Sequence, residues 1–174
     1  MHLGNGILFN TNPRFVVSNS SLKITSQLAE IRHGHRVVLE LGNLDSRRDW
    51  GFAGDYVRGM LAMVQHPTPK NYVLATGRTV TVRDFVAWAA EAAGMPLEWF
   101  GTSEHETGID KRSGKVIVKV SESSFRPAHA VLLIGSAEMA RRVLGWEPEV
   151  SVQALVQIMI EEDTRRAGQG PILH

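Results

Sequence analysis

Two adjacent arginines, Arg47 and Arg48, stand in the segment 41–56, which reads LGNLDSRRDWGFAGDY. An arginine offers a planar fork of N–H donors that suits a phosphate or a carboxylate. The alternative is that both arginines pair with aspartates of the same solvated turn, and on chemistry alone this alternative is favoured because surface ion pairs are common. The aspartates concerned are Asp45, Asp49 and Asp55.

A third arginine, Arg126, stands between Phe125 and Pro127 after an apolar run. The residue before a proline is pushed away from helical backbone angles, so Arg126 is predicted to project from an extended segment. An anion-binding role and a surface salt bridge are both compatible with this placement.

Apolar runs and helical stripes alternate along the chain, which predicts an α/β fold. The predicted strands cover 7–9, 37–41, 72–75, 97–100 and 115–120, and the charged stretch 104–112 is predicted to connect the last two. Five helices are predicted: from Ser21 to Gly34, over 54–65, over 82–93, from Ser136 to Leu144, and from Ser151 onward. Ser21, Thr81 and Ser136 are the predicted N-caps of the first, third and fourth helices, and Gly34 ends the first. In the last helix, the residues predicted to face the core are Leu155, Val156, Ile158, Met159 and Ile160.

The composition predicts one soluble domain over residues 1–174, since 43% of the residues are hydrophobic and 21% are charged. Lys plus Arg number 19 against 18 Asp plus Glu, so no basic field favours nucleic acid or an acidic membrane. The absence of cysteine rules out disulfides and thiolate metal sites. No apolar run reaches the roughly 20 residues of a membrane helix, and no signal peptide is recognised at the start. A cytoplasmic protein is expected.

The histidines do not predict a metal site. His33 and His35 are two residues apart at a helix end, and His105–Glu106 is interpreted as a solvated loop pair. No Gly-x-Ser-x-Gly, Walker or zinc motif is present. The four tryptophans are expected in packing roles rather than as a base-stacking platform.

An ordered series of motifs resembles the GDP-mannose 4,6-dehydratases, which are NADP-dependent lyases of the extended short-chain dehydrogenase/reductase type. The resemblance implies that this chain is the C-terminal, substrate-binding part of such a fold, with the Rossmann cofactor domain largely absent. Residues 1–10 would then be a remnant strand of the cofactor-domain sheet, and residues 169–174 a frayed tail. The motifs are LGNLD (41–45), RDWG (48–51), DYV (55–57), YVLATG (72–77), RDFV (83–86), GKV (114–116), FRP (125–127) and LGWEP (144–148).

The resemblance also implies binding residues. Arg48 and Arg126 match family arginines that contact the substrate diphosphate. Two guanidinium groups from distant loops would bind one dianion more firmly than a single group. Asn10 and Lys23 match a family asparagine and lysine associated with substrate binding, whose alternatives are a turn asparagine and a helix-surface lysine. His129 stands where the family has a ribose-binding glutamate, and a histidine accepts fewer hydrogen bonds than a carboxylate.

The loop after Asn10 departs from the family pattern. Thr11 replaces a histidine associated with NADP binding, Phe15 replaces an arginine, and Arg14 is the matching candidate for cofactor contact. These differences weaken the expectation of cofactor binding by this chain.

The family's catalytic machinery is not found among these residues. The family needs a Gly-rich strand–turn–helix and a Tyr-x-x-x-Lys pair, whereas Tyr56 and Tyr72 are followed four residues later by Met60 and Thr76. NADP is therefore expected for the complete family enzyme and not for this chain alone. The expected partners are GDP-mannose or a related GDP-sugar and a separate cofactor domain or a homo-oligomer. The open alternatives are a non-catalytic nucleotide-sugar-binding or interaction module and a truncated relic.

Overall fold

The computed structural model describes residues 6–8, 11–12, 20–125 and 134–170. In chain order the elements are β1 (Gly6–Leu8), β2 (Thr11–Asn12), α1 (Ser20–Arg32), β3 (Leu39–Leu41), β4 (Arg47–Arg48), β5 (Gly51–Phe52), α2 (Ala53–Gln65), β6 (Tyr72–Leu74), β7 (Val80–Thr81), α3 (Val82–Ala92), β8 (Leu97–Phe100), a 3₁₀ turn (Ser103–His105), β9 (Thr107–Asp110), β10 (Val116–Val120), α4 (Glu138–Leu144) and α5 (Val152–Ala167).

The elements divide into two compact units, each of which is assembled from three stretches of the chain. The first unit comprises Met1–Val16, Arg47–Val80 and Val131–Leu155, and the second comprises Val17–Ser46, Thr81–Ala130 and Val156–His174. The expectation of a single domain over residues 1–174 stays a prediction.

The first unit contains a two-stranded parallel sheet in which β1 pairs with β6. A short parallel pair joins β2 to β5. The core of the first unit is a cluster of buried residues from α2, β6, α4 and the residues on either side of α4: Tyr56, Tyr72, Leu74, Ala137, Ala140 and Trp146. Gly59 allows α2 to approach this cluster closely, because a Cβ there would lie 2.7 Å from Leu74 Cδ1 and 2.9 Å from Trp146 Nε1.

The second unit contains a four-stranded mixed sheet with the order β3-β10-β9-β8. β3 and β10 run parallel, with Leu41 opposite Val120, and β9 is antiparallel to both of its neighbours. Helix α1 packs on α3 and β3. The predicted stripe of α3 is confirmed, since Phe85, Val86 and Ala89 are all fully buried.

The ends of the helices confirm three predictions. Thr81 caps α3 in a capping box with Asp84, in which each side chain bonds the other residue's backbone N–H. The His35 amide donates to Glu30 O across Gly34, whose φ of 78° ends α1 in a left-handed turn. Ser151 caps α5 by accepting a hydrogen bond from the Ala154 amide at 3.2 Å.

Two predicted caps were wrong. Helix α1 begins at Ser20, so Ser21 lies inside the first turn, and its buried hydroxyl has no hydrogen-bond partner among the described residues. The residue before α4 is Ala137, and no side chain caps that helix, so Ser136 does not do so.

Three other predictions on the elements need correction. Strand β3 is shorter than predicted, and Val37 is 81% exposed. The charged stretch 104–112 contains β9, whose backbone pairs with strands on both sides. Ile158 is 48% exposed, while Leu155, Val156 and Ile160 on the same helix are buried as predicted. At the predicted frayed tail, the Gln169 and Gly170 amides donate to Arg166 O and Ala167 O, and residues 171–174 lie outside the described range.

Candidate functional site

The candidate anion-binding residue Arg48 lies on β4 in the first unit, beside a buried carboxylate. Asp49 is fully buried and accepts three hydrogen bonds: from Thr76 Oγ1 at 2.5 Å, from the Thr76 amide at 3.2 Å and from the Gly77 amide at 3.0 Å. Thr76 and Gly77 directly follow β6, so Asp49 ties the arginine-bearing loop to the carboxyl end of that strand. A buried carboxylate with its oxygens occupied gives Arg48 a fixed backbone position.

Neither arginine of the pair bonds a carboxylate within the described residues. Arg47 donates to Thr79 O at 3.0 Å and to Thr79 Oγ1 at 3.2 Å, and Arg48 Nη1 donates to Arg47 O at 2.8 Å. Both side chains are exposed. The ion-pair alternative for this loop is therefore wrong for the aspartates that it named, since those carboxylates bond other partners. The exposed guanidinium of Arg48 has the geometry to receive an anion, with one of its donors turned to its own loop.

Asp55 is the second buried carboxylate of the first unit, and it holds the start of α2 to the segment after α4. Its Oδ2 accepts the Glu149 and Val150 amides, both at 3.0 Å, and its Oδ1 accepts from Arg58 at 2.9 Å. Trp146 Nε1 donates to Asp55 O at 2.6 Å. These contacts explain the aspartate of the DYV motif as a structural residue.

Tyr56 is held in its protonated form by its surroundings. It is 1% exposed, and its ring centroid lies 5.8 Å from that of Trp146. Burial, and then the negative charges of Asp49 and Asp55, raises the pKa of Tyr56 well above its ordinary value. A tyrosine that acts as a base near neutral pH needs a lowered pKa, and the surroundings of Tyr56 shift its pKa in the opposite direction.

The loops after β3 and β10 meet in the second unit. Because these two strands are parallel, their carboxyl ends share one edge of the sheet, which is where α/β folds place ligand-binding loops. The Ser121 amide donates to Leu41 O at 2.7 Å, and the Phe125 amide donates to Ser121 O at 2.8 Å. Gly42 is required here because a Cβ would lie 2.6 Å from Ser124 O. The turn that leads to Arg126 is thus anchored on the LGNLD motif.

Arg83 fixes the LGNLD loop from the start of α3. Its side chain bonds Asp45 Oδ1 at 2.7 Å and the carboxylate of Glu106, and its guanidinium carbon lies 5.5 Å from the centroid of the Trp99 ring. The Arg83 amide also donates to Leu44 O at 2.9 Å. Glu106 is 6% exposed, so the interpretation of His105–Glu106 as a solvated pair is wrong for Glu106, whose buried charge Arg83 compensates. His105 is exposed, as expected.

Lys23 bonds the backbone of its own unit. It lies exposed on α1, and its Nζ donates to Glu40 O at 2.7 Å, which links the helix to β3. This contact gives Lys23 a structural role beside its predicted role in substrate binding, which stays a prediction.

Four predicted site residues, Asn10, Arg14, Arg126 and His129, lie outside the described residues. The convergence of Arg48 and Arg126 on one diphosphate therefore stays a prediction. The sequence reasoning missed the buried carboxylates: Asp49, Asp55 and Glu106 were interpreted as parts of solvated segments. The available signal at Asp49 and Asp55 was an adjacent aromatic residue, Trp50 and Tyr56 respectively, whereas Glu106 stands between His105 and Thr107 and carried no such signal.

A surface cleft of about 380 Å³ also lies in the first unit, lined by residues of both charges. Arg78 and Arg141 face it together with Glu147 and Glu149, and Arg141 pairs with Glu147 at 3.5 Å. Since the charges balance, the cleft has no clear preference for an anion.

The described part of the chain shows no cluster of three or more metal-ligating side chains. In that same part, no helix is both long and apolar enough to cross a bilayer.

Comparison with solved structures shows the fold. RMD from Pseudomonas aeruginosa, solved in complex with NADPH, matches 92% of this chain over 47% of its own length, with a TM-score of 0.70 and 17% sequence identity. UDP-glucose 4-epimerase from Thermotoga maritima, solved with UDP-glucose, matches 94% of the chain over 46% of its own length, with a TM-score of 0.64 and 17% identity. The predicted mixed α/β fold of the extended short-chain dehydrogenase/reductase type is confirmed.

Comparison of sequences shows the family. The family model for GDP-mannose 4,6 dehydratase matches residues 1–159. The GDP-mannose 4,6-dehydratase of Sinorhizobium fredii is 50% identical over 164 residues, which are 94% of this chain and 47% of the relative. The Drosophila melanogaster protein is 41% identical over 173 residues, which are 99% of this chain and 44% of the relative. The chain spans about half the length of these relatives and corresponds to their C-terminal part. Because the family model matches residues 1–159 and these relatives are 41–50% identical, the chain belongs to the GDP-mannose 4,6-dehydratase family.

Proposed function

We propose that this chain is the GDP-sugar-binding portion of a GDP-mannose 4,6-dehydratase-type lyase, and that it binds GDP-mannose or a close relative. The observation that carries the proposal is the exposed guanidinium of Arg48 on a loop fixed by the buried Asp49. A phosphate receptor of this kind needs a donor that is free to meet the ligand and a backbone that does not move. In this proposal Arg126 supplies the second guanidinium group that binds the diphosphate.

Among the described residues, the glycines at the junction of β5 and α2 do not fit an NADP pyrophosphate site. The space beside each of these two glycines is filled by a side chain of the same segment. A Cβ at Gly51 would lie 2.3 Å from the Tyr56 ring, and a Cβ at Gly54 would lie 2.4 Å from the Phe52 ring. These glycines serve internal packing, whereas a dinucleotide fingerprint uses glycines for close approach of the cofactor. We therefore propose that NADP binds elsewhere in the complete enzyme.

The raised pKa of Tyr56 supports a separation between substrate binding by this chain and catalysis by another part of the enzyme. The chain's own residues bind and orient the nucleotide sugar, and hydride transfer and proton abstraction rest on a cofactor-binding portion. A cytoplasmic location belongs to this proposal, because a chain without cysteine is compatible with a reducing compartment.

Calorimetric titration of the purified chain with GDP-mannose, GDP and NADPH tests the proposal. Arg48→Ala and Arg126→Ala should each weaken GDP-mannose binding about 10- to 100-fold, since one charged hydrogen-bond donor contributes about 1.5–3 kcal/mol. Arg32→Ala is the matched control, because Arg32 is an exposed arginine in the last turn of α1. A folded chain that binds neither GDP-mannose nor GDP would contradict the proposal.

The alternative function is a nucleotide-sugar-binding module without catalysis, which the departures from the family pattern at Thr11 and Phe15 favour. Turnover distinguishes the two. If the chain, mixed with NADP and a cofactor-binding portion, converts GDP-mannose to its 4-keto-6-deoxy product, the module alternative fails.

A further inference from the structure

Arg47 holds its own loop to the segment 76–79, although its side chain is exposed. Two of its N–H groups meet a single residue: Nη2 donates to Thr79 O at 3.0 Å, and Nε donates to Thr79 Oγ1 at 3.2 Å. Thr79 is half-buried and lies 32 residues further along the chain. A planar guanidinium that places two donors on one residue is fixed in direction, so Arg47 connects the two loops.

The residue after Arg48 is held by the same segment. Asp49 accepts a hydrogen bond from Thr76 Oγ1 at 2.5 Å and another from the Gly77 amide at 3.0 Å. Arg48 therefore stands between two residues whose side chains both bond the segment 76–79. A backbone that is held on both sides of one residue shifts little, which is the condition for placing a ligand-binding side chain accurately.

The guanidinium of Arg48 takes its direction from the backbone of Arg47. Arg48 Nη1 donates to Arg47 O at 2.8 Å, and the side chain of Arg47 is in turn held by Thr79. An exposed arginine without such a contact samples many rotamers and loses that freedom when it binds a ligand. A side chain that is already oriented loses less, so the same ligand contacts give a tighter complex.

We propose that Arg47 is a positioning residue: its contact with Thr79 holds the carbonyl that orients the Arg48 guanidinium for the diphosphate of the nucleotide sugar. The inference rests on the proposed function, in which Arg48 binds that diphosphate. It assigns different tasks to two adjacent arginines of the same chemistry. The competing arrangement is Arg47 as a second ligand of the diphosphate, which would require Arg47 to give up both hydrogen bonds to Thr79.

Calorimetric titration of Thr79 variants with GDP-mannose distinguishes the two arrangements. Thr79→Val removes the oxygen that accepts from Arg47 Nε and leaves both arginines in place, so it should weaken binding about threefold. Thr79→Ser keeps the hydroxyl and should restore the affinity of the unsubstituted chain. If Arg47 were a ligand instead, its release from Thr79 would leave the affinity unchanged or raise it.

Thr102→Val is the matched control for the Thr79 variants. Thr102 is an exposed threonine of the second unit, and its side chain makes no capping hydrogen bond to the 3₁₀ turn that follows it. Its substitution should leave the affinity for GDP-mannose unchanged. Thermal unfolding of each variant shows that it is folded.

Arg47→Met tests the inference through Arg48. Methionine keeps a long unbranched side chain and has no N–H donor, so binding should weaken about fivefold in the unsubstituted background and less than about twofold when Arg48→Ala is also present. The loss depends on Arg48 because a positioning residue acts through the residue that it positions. A residue that only stabilised the fold would not show this dependence among folded variants.

Two results would overturn the inference. One is a Thr79→Val chain that binds GDP-mannose as tightly as the unsubstituted chain or more tightly, and this result decides alone where Arg48→Ala binds too weakly to titrate. The other is an equal loss from Arg47→Met with and without Arg48→Ala, which is expected of a direct ligand. An unsubstituted chain that does not bind contradicts the proposed function as well, whereas binding that is insensitive to these substitutions contradicts the positioning inference alone.

Discussion

The two units of this protein differ in how far each covers its own apolar surface. The second unit buries the apolar side of α3 and the inner strands of a four-stranded sheet, with Phe85, Val118 and Leu39 fully enclosed. The first unit has a buried cluster around Tyr56 and Trp146, yet Val57, Leu61 and Val64 of α2 are exposed. Within the described residues, α3 is therefore covered by elements of its own unit, whereas one apolar side of α2 is exposed.

The units also differ in what their charged residues do. In the second unit, Arg83 is committed to Asp45 and Glu106, so its charge serves to hold a loop. In the first unit, the buried acids hold the backbone, and the exposed Arg48 has only a backbone oxygen as its described partner. A guanidinium with an internal carboxylate partner stabilises the fold, whereas one on a fixed loop without such a partner is available for the ligand contact that we propose for Arg48.

The largest effect is expected from cavity formation in the second unit. Phe85→Ala should lower the free energy of unfolding by about 3–5 kcal/mol, because it removes a fully buried aromatic side chain. Val57→Ala on α2 should change the free energy of unfolding by about 0.5 kcal/mol or less, because Val57 is 60% exposed. Urea unfolding followed by circular dichroism measures both, and equal losses would break the comparison between the units.

The next effect is expected from the carboxylate that holds α2. Asp55→Ala should cost about 2–3 kcal/mol, because the Glu149 and Val150 amides and the Arg58 guanidinium lose their acceptor. Asp45→Ala is the control, since the Asp45 side chain is 70% exposed. Thermal unfolding of the two variants should separate them clearly, and a stable Asp55→Ala protein would show that the first unit does not depend on this contact.

Arg83 and Arg48 sharpen the comparison between structural and binding arginines. Arg83→Ala should cost about 2 kcal/mol, less than the about 3–5 kcal/mol of a fully buried pair, because the Arg83 side chain is 28% exposed. Arg48→Ala should leave the free energy of unfolding within about 0.5 kcal/mol of the unsubstituted protein. Chemical denaturation checks both. A large loss of stability in Arg48→Ala would assign that residue to the fold rather than to the ligand.

The smallest effect is an alkaline loss of stability from the first unit. Because the pKa of Tyr56 is raised, the native state holds the phenol proton more tightly than the unfolded chain does. The contribution is complete below the unfolded tyrosine pKa of about 10 and decreases as the pH rises above it, by roughly 1 kcal/mol at pH 10.5. Stability measured between pH 8 and 10.5 should fall less in Tyr56→Phe, and parallel profiles would refute the assignment.

Local signals in the sequence predicted the parts of the fold that depend on neighbouring residues. The Thr81 cap and the Gly34 terminus were found because a cap is decided within four or five residues of chain. Strand β9 was missed because Thr107 to Asp110 has no apolar alternation, and its backbone is satisfied by β8 and β10, which flank it in the sheet. The Ser136 cap was wrong because a residue type favours a cap without requiring one.

By itself the sequence determined the family, the α/β class and the identity of Arg48 as a candidate phosphate contact, because motif order and apolar periodicity are written along the chain. Only the tertiary structure decided which charges are buried. From the sequence, Asp49, Asp55 and Glu106 were interpreted as solvated acids. In the fold they are internal acceptors, because hydrogen-bond donors that lie 23 to 95 residues away along the chain reach them: Thr76 and Gly77, Arg83, and Glu149 and Val150. A buried carboxylate is stable only where distant donors converge on it, and that convergence is a property of the fold.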